Sequence, residues 1–118
     1  MGITYVPGTV RGPAGRQADL DFLVDSGAAY SLIPYRVWNE LQLQPTREQG
    51  FRLADGTLVR RRVSECHIAL REGEGHTPVV LGEPGDDTAL LGAITLENLG
   101  LMFNPFSRTL HPLRALLV

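Results

Sequence analysis

Thirteen glycines and eight prolines are spread along the chain between short apolar runs. Glycine admits positive φ and proline removes a backbone donor, so segments bounded by these residues read as strands joined by tight turns rather than as long helices. A mainly β protein is expected. Residues 3 to 10 and 17 to 24 read as two strands joined by "RGPAGR", and "YSLIP" as a further short strand. Pro34 suits the first turn of a helix through "YRVWNELQL", where Val37, Trp38 and Leu41 share one face, and Pro45 closes that segment. Trp38 is then a packing residue between helix and core.

"GFRLADGTLVRRRV" holds two extended runs around Asp55-Gly56, a pair suited to a turn of positive φ, so a hairpin with its tip near Gly56 is expected. "SECHIALR" reads as a separate strand that follows, with Cys66, Ile68 and Leu70 on one side and Glu65, His67 and Ala69 on the other. "EGEG" turns the chain back into the strand "TPVVLG". "EPGDD" is a solvated acidic loop, lacking the spaced ligands and closing glutamate of a calcium-binding loop. "ALLG" leads into a helix, "AITLENLG", ended by Gly100. "LMFN", "PFS" and "RTLHPL" make a last hairpin, and the apolar tail "LRALLV" is expected to pair with something such as another subunit.

One stretch does not fit a purely structural reading. In "FLVDSGAAYSLIP" an apolar strand runs into Asp25 and then Ser-Gly-Ala. An ionised carboxylate behind Phe22, Leu23 and Val24 is costly to desolvate unless something compensates it. One structural reading is a turn in which the carboxylate accepts backbone N–H bonds, and a catalytic role is preferred to it. A weak internal echo accompanies it: "FLVDSGA" and "ALLGAI" both carry apolar residues into a glycine turn, at similar places in the two halves of the chain, and the first copy alone has the aspartate.

At 118 residues the chain fits one domain, spanning residues 1 to 118, which at this length buries roughly two-thirds of the surface of its unfolded form. The single cysteine, Cys66, excludes an internal disulfide framework and a multi-cysteine zinc site, and its alternation makes it a core thiol. His67, His76 and His111 are too scattered for a metal pair. With 11 basic and 13 acidic residues, net charge −2, bulk electrostatics does not favour nucleic acid, and the run Arg60-Arg61-Arg62 reads as a solvated strand edge. "MGITYVPGTV" shows no basic region followed by an apolar core, and no stretch is as long as a membrane span, so a soluble, cytoplasmic protein is expected.

The residues around Asp25 and the later glycine turn together give a resemblance. Leu23-Val24-Asp25-Ser26-Gly27-Ala28 resembles the active-site pattern of the retropepsin-like aspartic proteases, especially their short bacterial members. Leu90-Leu91-Gly92 resembles that family's later apolar-apolar-Gly turn, which opens a helix. The hairpin between them stands where the family has its flap, with Leu53, Ala54, Asp55, Gly56 and Thr57 as flap and substrate-binding residues. The likeness covers roughly residues 3 to 113. It implies a closed β-barrel-like domain with one or two short helices, and no metal or cofactor.

It also implies a chemistry. Two carboxylates close enough to share a proton act as base and acid on a water that attacks a peptide carbonyl. One chain carries one such motif, so the resemblance implies a homodimer in which Asp25 meets its own copy on a two-fold axis. Gly27 would leave room for the backbone of an extended peptide, Ala28 would stay small for the same reason, and the Ser26 hydroxyl would bond backbone across the dimer. The flap here is short and carries arginines, unlike the glycine-rich apolar flaps of the viral enzymes. Two other readings are open: a catalytically silent dimeric module that binds peptide or regulates, and an all-β structural domain in which no two Asp25 side chains meet.

Overall fold

The computed structural model describes residues 3–113. Alternation is the main organiser. In β1 (Tyr5–Arg11) and β2 (Gln17–Val24) every second residue turns inward, and Ala18, Leu20, Phe22 and Val24 face the core while Gln17, Asp19 and Asp21 face water. The two strands pair antiparallel with Val6 opposite Phe22. The chain continues through β3 (Ser31–Ile33), α1 (Tyr35–Glu40), β4 (Arg47–Arg52), β5 (Leu58–Leu70), β6 (Glu74–Leu81), β7 (Ala89–Leu91), α2 (Ala93–Asn98), β8 (Leu101–Asn104) and β9 (Thr109–Pro112).

Seven strands form one sheet in the order β1-β2-β7-β3-β6-β5-β4, and a β1–β5 pairing closes the first six into a barrel. The fold is mainly β with two short helices, as the sequence predicts. Val10, Phe22, Ile33, Ile68, Leu81 and Leu91 are fully buried at its centre. β8 and β9 make a separate two-stranded hairpin. Of the apolar tail, residues 113–118, Leu113 donates its N–H to Gly100 O at 2.7 Å, and the expected pairing of residues 114–118 falls outside the described residues.

The separate strand expected for "SECHIALR" is instead the second half of β5, a continuous strand of 13 residues. Its two halves use one edge differently. Leu58–Val63 pair with β4, and His67–Leu70 with β1, whereas β6 joins the other edge only from Val63 onward. Residues 58–62 therefore pair with β4 alone, so the hairpin reaches past the barrel as a two-stranded ribbon. β6 likewise starts at Glu74, ahead of the expected "TPVVLG".

α1 also departs from expectation. Pro34 caps the helix instead of occupying its first turn, and the helix ends at Glu40, well before Pro45. Gln42 adopts φ +58, the Gln42 N–H donates to Asn39 O at 3.1 Å and the Leu43 N–H to Trp38 O at 3.0 Å. That is a Schellman ending, usually signalled by glycine at the left-handed position, with the buried Leu43 as its apolar contact. Trp38 is buried as expected and donates from Nε1 to Gly82 O at 2.8 Å. α2 ends as its sequence predicts, at Gly100 with φ +71.

Candidate active site

β7 lies between β2 and β3. It runs parallel to β2 with Leu23 opposite Leu90 and Val24 opposite Leu91. The two echoing segments, 67 residues apart in sequence, are thus neighbouring strands in register, and their turns leave the barrel side by side. The Asp25 N–H donates to Leu91 O at 3.0 Å. From the Asp25 turn, Ala28 O and Ala29 O accept the N–H groups of Ala93 and Ile94 at 2.8 and 2.9 Å, so the turn docks on the first residues of α2.

Within its turn the Asp25 carbonyl accepts the Ala28 N–H at 3.1 Å, and its Oδ1 accepts the Gly27 N–H, also at 3.1 Å. Asp25, Ser26 and Gly27 are all exposed. The apolar strand therefore does not bury the carboxylate: β2 ends at Val24 and delivers Asp25 to the surface, held by backbone on one oxygen. Gly27 is open, since a Cβ there would meet only Asp25 Oδ1, at 3.4 Å.

Beneath the two turns lies a buried chain of hydroxyls absent from the expected site. The Gly92 N–H donates to Ser31 Oγ at 2.9 Å, Ser31 Oγ lies 2.5 Å from Thr95 Oγ1, and Thr95 Oγ1 lies 2.9 Å from Thr77 Oγ1. All three hydroxyl residues are buried. They tie β3, β6, α2 and the Leu90-Leu91-Gly92 turn together where side chains cannot turn to water. Thr95→Val keeps the shape but takes a buried partner from Ser31, left with the Gly92 N–H, and from Thr77, left with Pro78 O at 3.3 Å, so it is expected to cost about 1–3 kcal/mol. A urea titration at unchanged slope checks this, and an unchanged midpoint would show the network to be idle. Its one sequence signal is a Ser and a Thr standing at inward positions of "YSLIP" and "AITLENLG".

The hairpin expected as a flap is present. The Gly56 N–H donates to Leu53 O at 2.9 Å and the Leu53 N–H to Thr57 O at 2.8 Å, with Gly56 at φ +90. Asp55 itself is not at positive φ; the bend is carried by glycine alone. Hydrogen bonds from Thr57, first from its side chain and then from its backbone, hold the Asp55 carboxyl below its ordinary value. Leu53, Ala54, Asp55, Gly56 and Thr57 are all exposed.

A second group that sequence reading did not find joins the β4–β5 hairpin to the Asp25 turn. Tyr30 donates from its hydroxyl to Gln49 Oε1 at 3.0 Å and accepts from Arg47 Nη2 at 2.9 Å. Its ring meets Phe51 edge-on at 5.2 Å. Arg47 also bonds Gln49 through Nη1. Between the turn and the ribbon runs an open cleft of about 520 Å³, bounded by Gly27, Ala28 and Tyr30 on one side and Phe51, Leu53 and Val59 on the other.

The other singled-out residues lie elsewhere. Cys66 faces the core, where burial first, and Glu65 second, push its thiol up to about 12, so it offers no thiolate near neutral pH. His67 meets Glu74 at 3.0 Å and His76 edge-on, while His111 bonds Thr109. Arg60 and Arg62 pair with Glu48 and Glu83 on the outer face of β5. Among the described residues, no helix is long and apolar enough to cross a membrane.

Comparisons agree with this geometry. The chain shares its fold with the retroviral protease-like domain of Ddi1 from Leishmania major, at TM-score 0.65 and 18% identity over 95% of this chain and 89% of that one. It is also similar to a retropepsin-like aspartic protease from Rickettsia conorii, at TM-score 0.51 and 16% identity over 88% and 89% of the two chains. Among curated proteins none matches. The family described as "gag-polyprotein putative aspartyl protease" matches residues 14–98, which include the Asp25 turn, the β4–β5 ribbon and the Leu90-Leu91-Gly92 turn. The chain belongs to that retropepsin-like aspartic protease family.

Proposed function

We propose that residues 1 to 118 form a single protease domain that works as a homodimeric aspartic endopeptidase, with one Asp25 from each subunit. The observation that carries this reading is the position of Asp25: exposed, fixed by backbone, and in the same turn as Gly27 and Ala28, which line the cleft shared with the β4–β5 ribbon. A carboxylate exposed in one chain is available to a second copy across a two-fold axis.

In such a pair the two acids share one proton, because two negative charges in contact repel. The ionised member takes a proton from water as that water attacks the peptide carbonyl, and the protonated member donates a hydrogen bond to the developing oxyanion. Neither a covalent intermediate nor a cofactor has a part in these steps. Ser26 would bond the backbone of the other subunit, and Gly27 and Ala28 would let the peptide backbone approach. Leu53 to Thr57 would close over an extended peptide, adding strand-like hydrogen bonds and excluding water.

The test is cleavage of a diverse peptide mixture from acidic to neutral pH, with the oligomeric state measured at the same concentrations. The expected profile is bell-shaped. At low pH both acids are protonated and the base is lost; at high pH both are ionised and the acid is lost. Cleavage by a chain that stays monomeric well above assay concentration would reject the shared pair.

A further inference from the structure

The cleft contains positive charge that the fold leaves without a carboxylate. Residues 60 to 62 are all arginine, but alternation along β5 sends them to different faces. Arg60 Nε lies 3.1 Å from Glu48, and Arg62 lies 3.8 Å from Glu83 with its guanidinium over the Trp38 ring at 5.1 Å. Arg61 stands opposite Gln49 in the ribbon, in the register that also sets Val59 opposite Phe51, and it lines the cleft with Phe51 and Val59. Its polar contact is a bond from Nη1 to Arg60 O at 3.1 Å. Arg52, the second cation of the lining, donates to Gly56 O at 3.3 Å. Among the described residues neither has a carboxylate at ion-pair distance.

The surrounding wall is apolar, with Leu32, Val80 and Leu90 beside Phe51 and Val59. Asp86 is the carboxylate of the lining, and its Oδ2 is engaged by the Glu83 N–H at 2.7 Å within its own turn. A peptide seated against this wall strips water from the half-buried Arg61. Desolvating a guanidinium is unfavourable unless an acceptor replaces the lost water, and a carboxylate is its best-matched acceptor. A neutral or basic side chain at that place leaves the cation stranded, which disfavours such peptides.

We propose that Arg61, with Arg52 as a second cation, selects peptides carrying an acidic side chain where the extended substrate passes beneath the flap. This rests on the peptide cleft of the proposed function, so the test reads binding apart from turnover. Labelled peptides in which each position in turn is Glu or Gln are titrated by fluorescence anisotropy into Asp25→Asn protein, and the same peptides are offered to wild type for cleavage.

At one position Glu is expected to bind about tenfold more tightly than Gln near neutral pH. Arg61→Gln in the same background brings the two to near equality, Arg61→Lys restores part of the preference, and Arg60→Gln, which removes the same charge from the outer face, retains it. The preference fades as pH falls through about 4.3, where the peptide glutamate protonates. Asp86, the carboxylate of the lining, repels a peptide glutamate and so works against the preference instead of producing it, and Asp25 is replaced in this protein. Equal binding of the Glu and Gln series, or a preference that survives Arg61→Gln, overturns the proposal while leaving any observed cleavage intact. Failure of every peptide to bind overturns it together with the peptide-cleft reading.

Discussion

Asp25→Asn is expected to lower peptide cleavage by about 10³-fold or more, the scale of losing a positioned acid–base group, while leaving the fold unchanged. The substitution isolates chemistry from structure because of how the residue is held. Asparagine keeps an Oδ1 to accept the Gly27 N–H, and the backbone bonds to Leu91 and Ala28 do not involve the side chain. The side chain is exposed in the single chain, so no buried charge is lost. In a dimer, two asparagines also remove the repulsion between facing carboxylates, so association should not weaken. Mixing separates a shared pair from a site complete in each chain. If equal amounts of wild-type and Asp25→Asn chains exchange subunits freely, wild-type pairs make up about one quarter of dimers, and activity per wild-type chain falls by about half. A site complete in one chain predicts no such fall. Undiminished cleavage by Asp25→Asn would remove Asp25 from the mechanism altogether.

How far the sequence discloses this arrangement depends on the distance over which each interaction acts. The inward alternation of Ala18, Leu20, Phe22 and Val24 is local and readable, as is the turn that lifts Asp25 off the end of β2. The pairing of "FLVDSGA" with "ALLGAI" leaves only an echo, because two strands that share a core position and then a turn need the same residue types. Other features leave less. β5 is continuous because no glycine or proline interrupts residues 58 to 70, but its two halves have different partners, so the pattern of burial changes midway and suggests a break. The end of α1 was hidden because Gln42 takes a conformation that the sequence usually marks with glycine. The Ser31–Thr95–Thr77 chain joins residues 64 and 18 apart, and Tyr30 reaches Gln49 across 19. Each is an ordinary polar residue until the barrel closes. The exposure of Asp25 belongs to the same class: local sequence suggests desolvation, whereas the end of β2 determines that it meets water.

Gly92→Ala is expected to destabilise the chain by about 3 kcal/mol or more, beyond the usual range of overpacking, because the new atom has nowhere to go. Gly92 has an extended backbone with φ −100, so conformational freedom is not its reason. The reason is space. A Cβ at this position would lie 2.5 Å from both the carbonyl carbon and the oxygen of Tyr30, and 3.0 Å from Ala28 O. These are backbone atoms, and they are held: Ala28 O and Ala29 O accept from α2, and Ser31 Oγ accepts the Gly92 N–H itself. Moving residues 28–31 away to admit a methyl group lengthens these bonds together and loosens the bond from Asp25 to Leu91 O. Gly27→Ala is the informative contrast, since its Cβ would make one ordinary contact at 3.4 Å. Thermal unfolding should therefore separate the two glycines: a fall on the order of 10 °C for Gly92→Ala and little change for Gly27→Ala. Activity should separate them differently, because a methyl group on Gly27 stands where the proposed mechanism brings the peptide backbone, so a stable Gly27→Ala protein would still lose cleavage. Equal stability of Gly92→Ala and wild type would mean that the Asp25 turn is not clamped by the start of α2, and that the two echoing turns hold each other less closely than their hydrogen bonds imply.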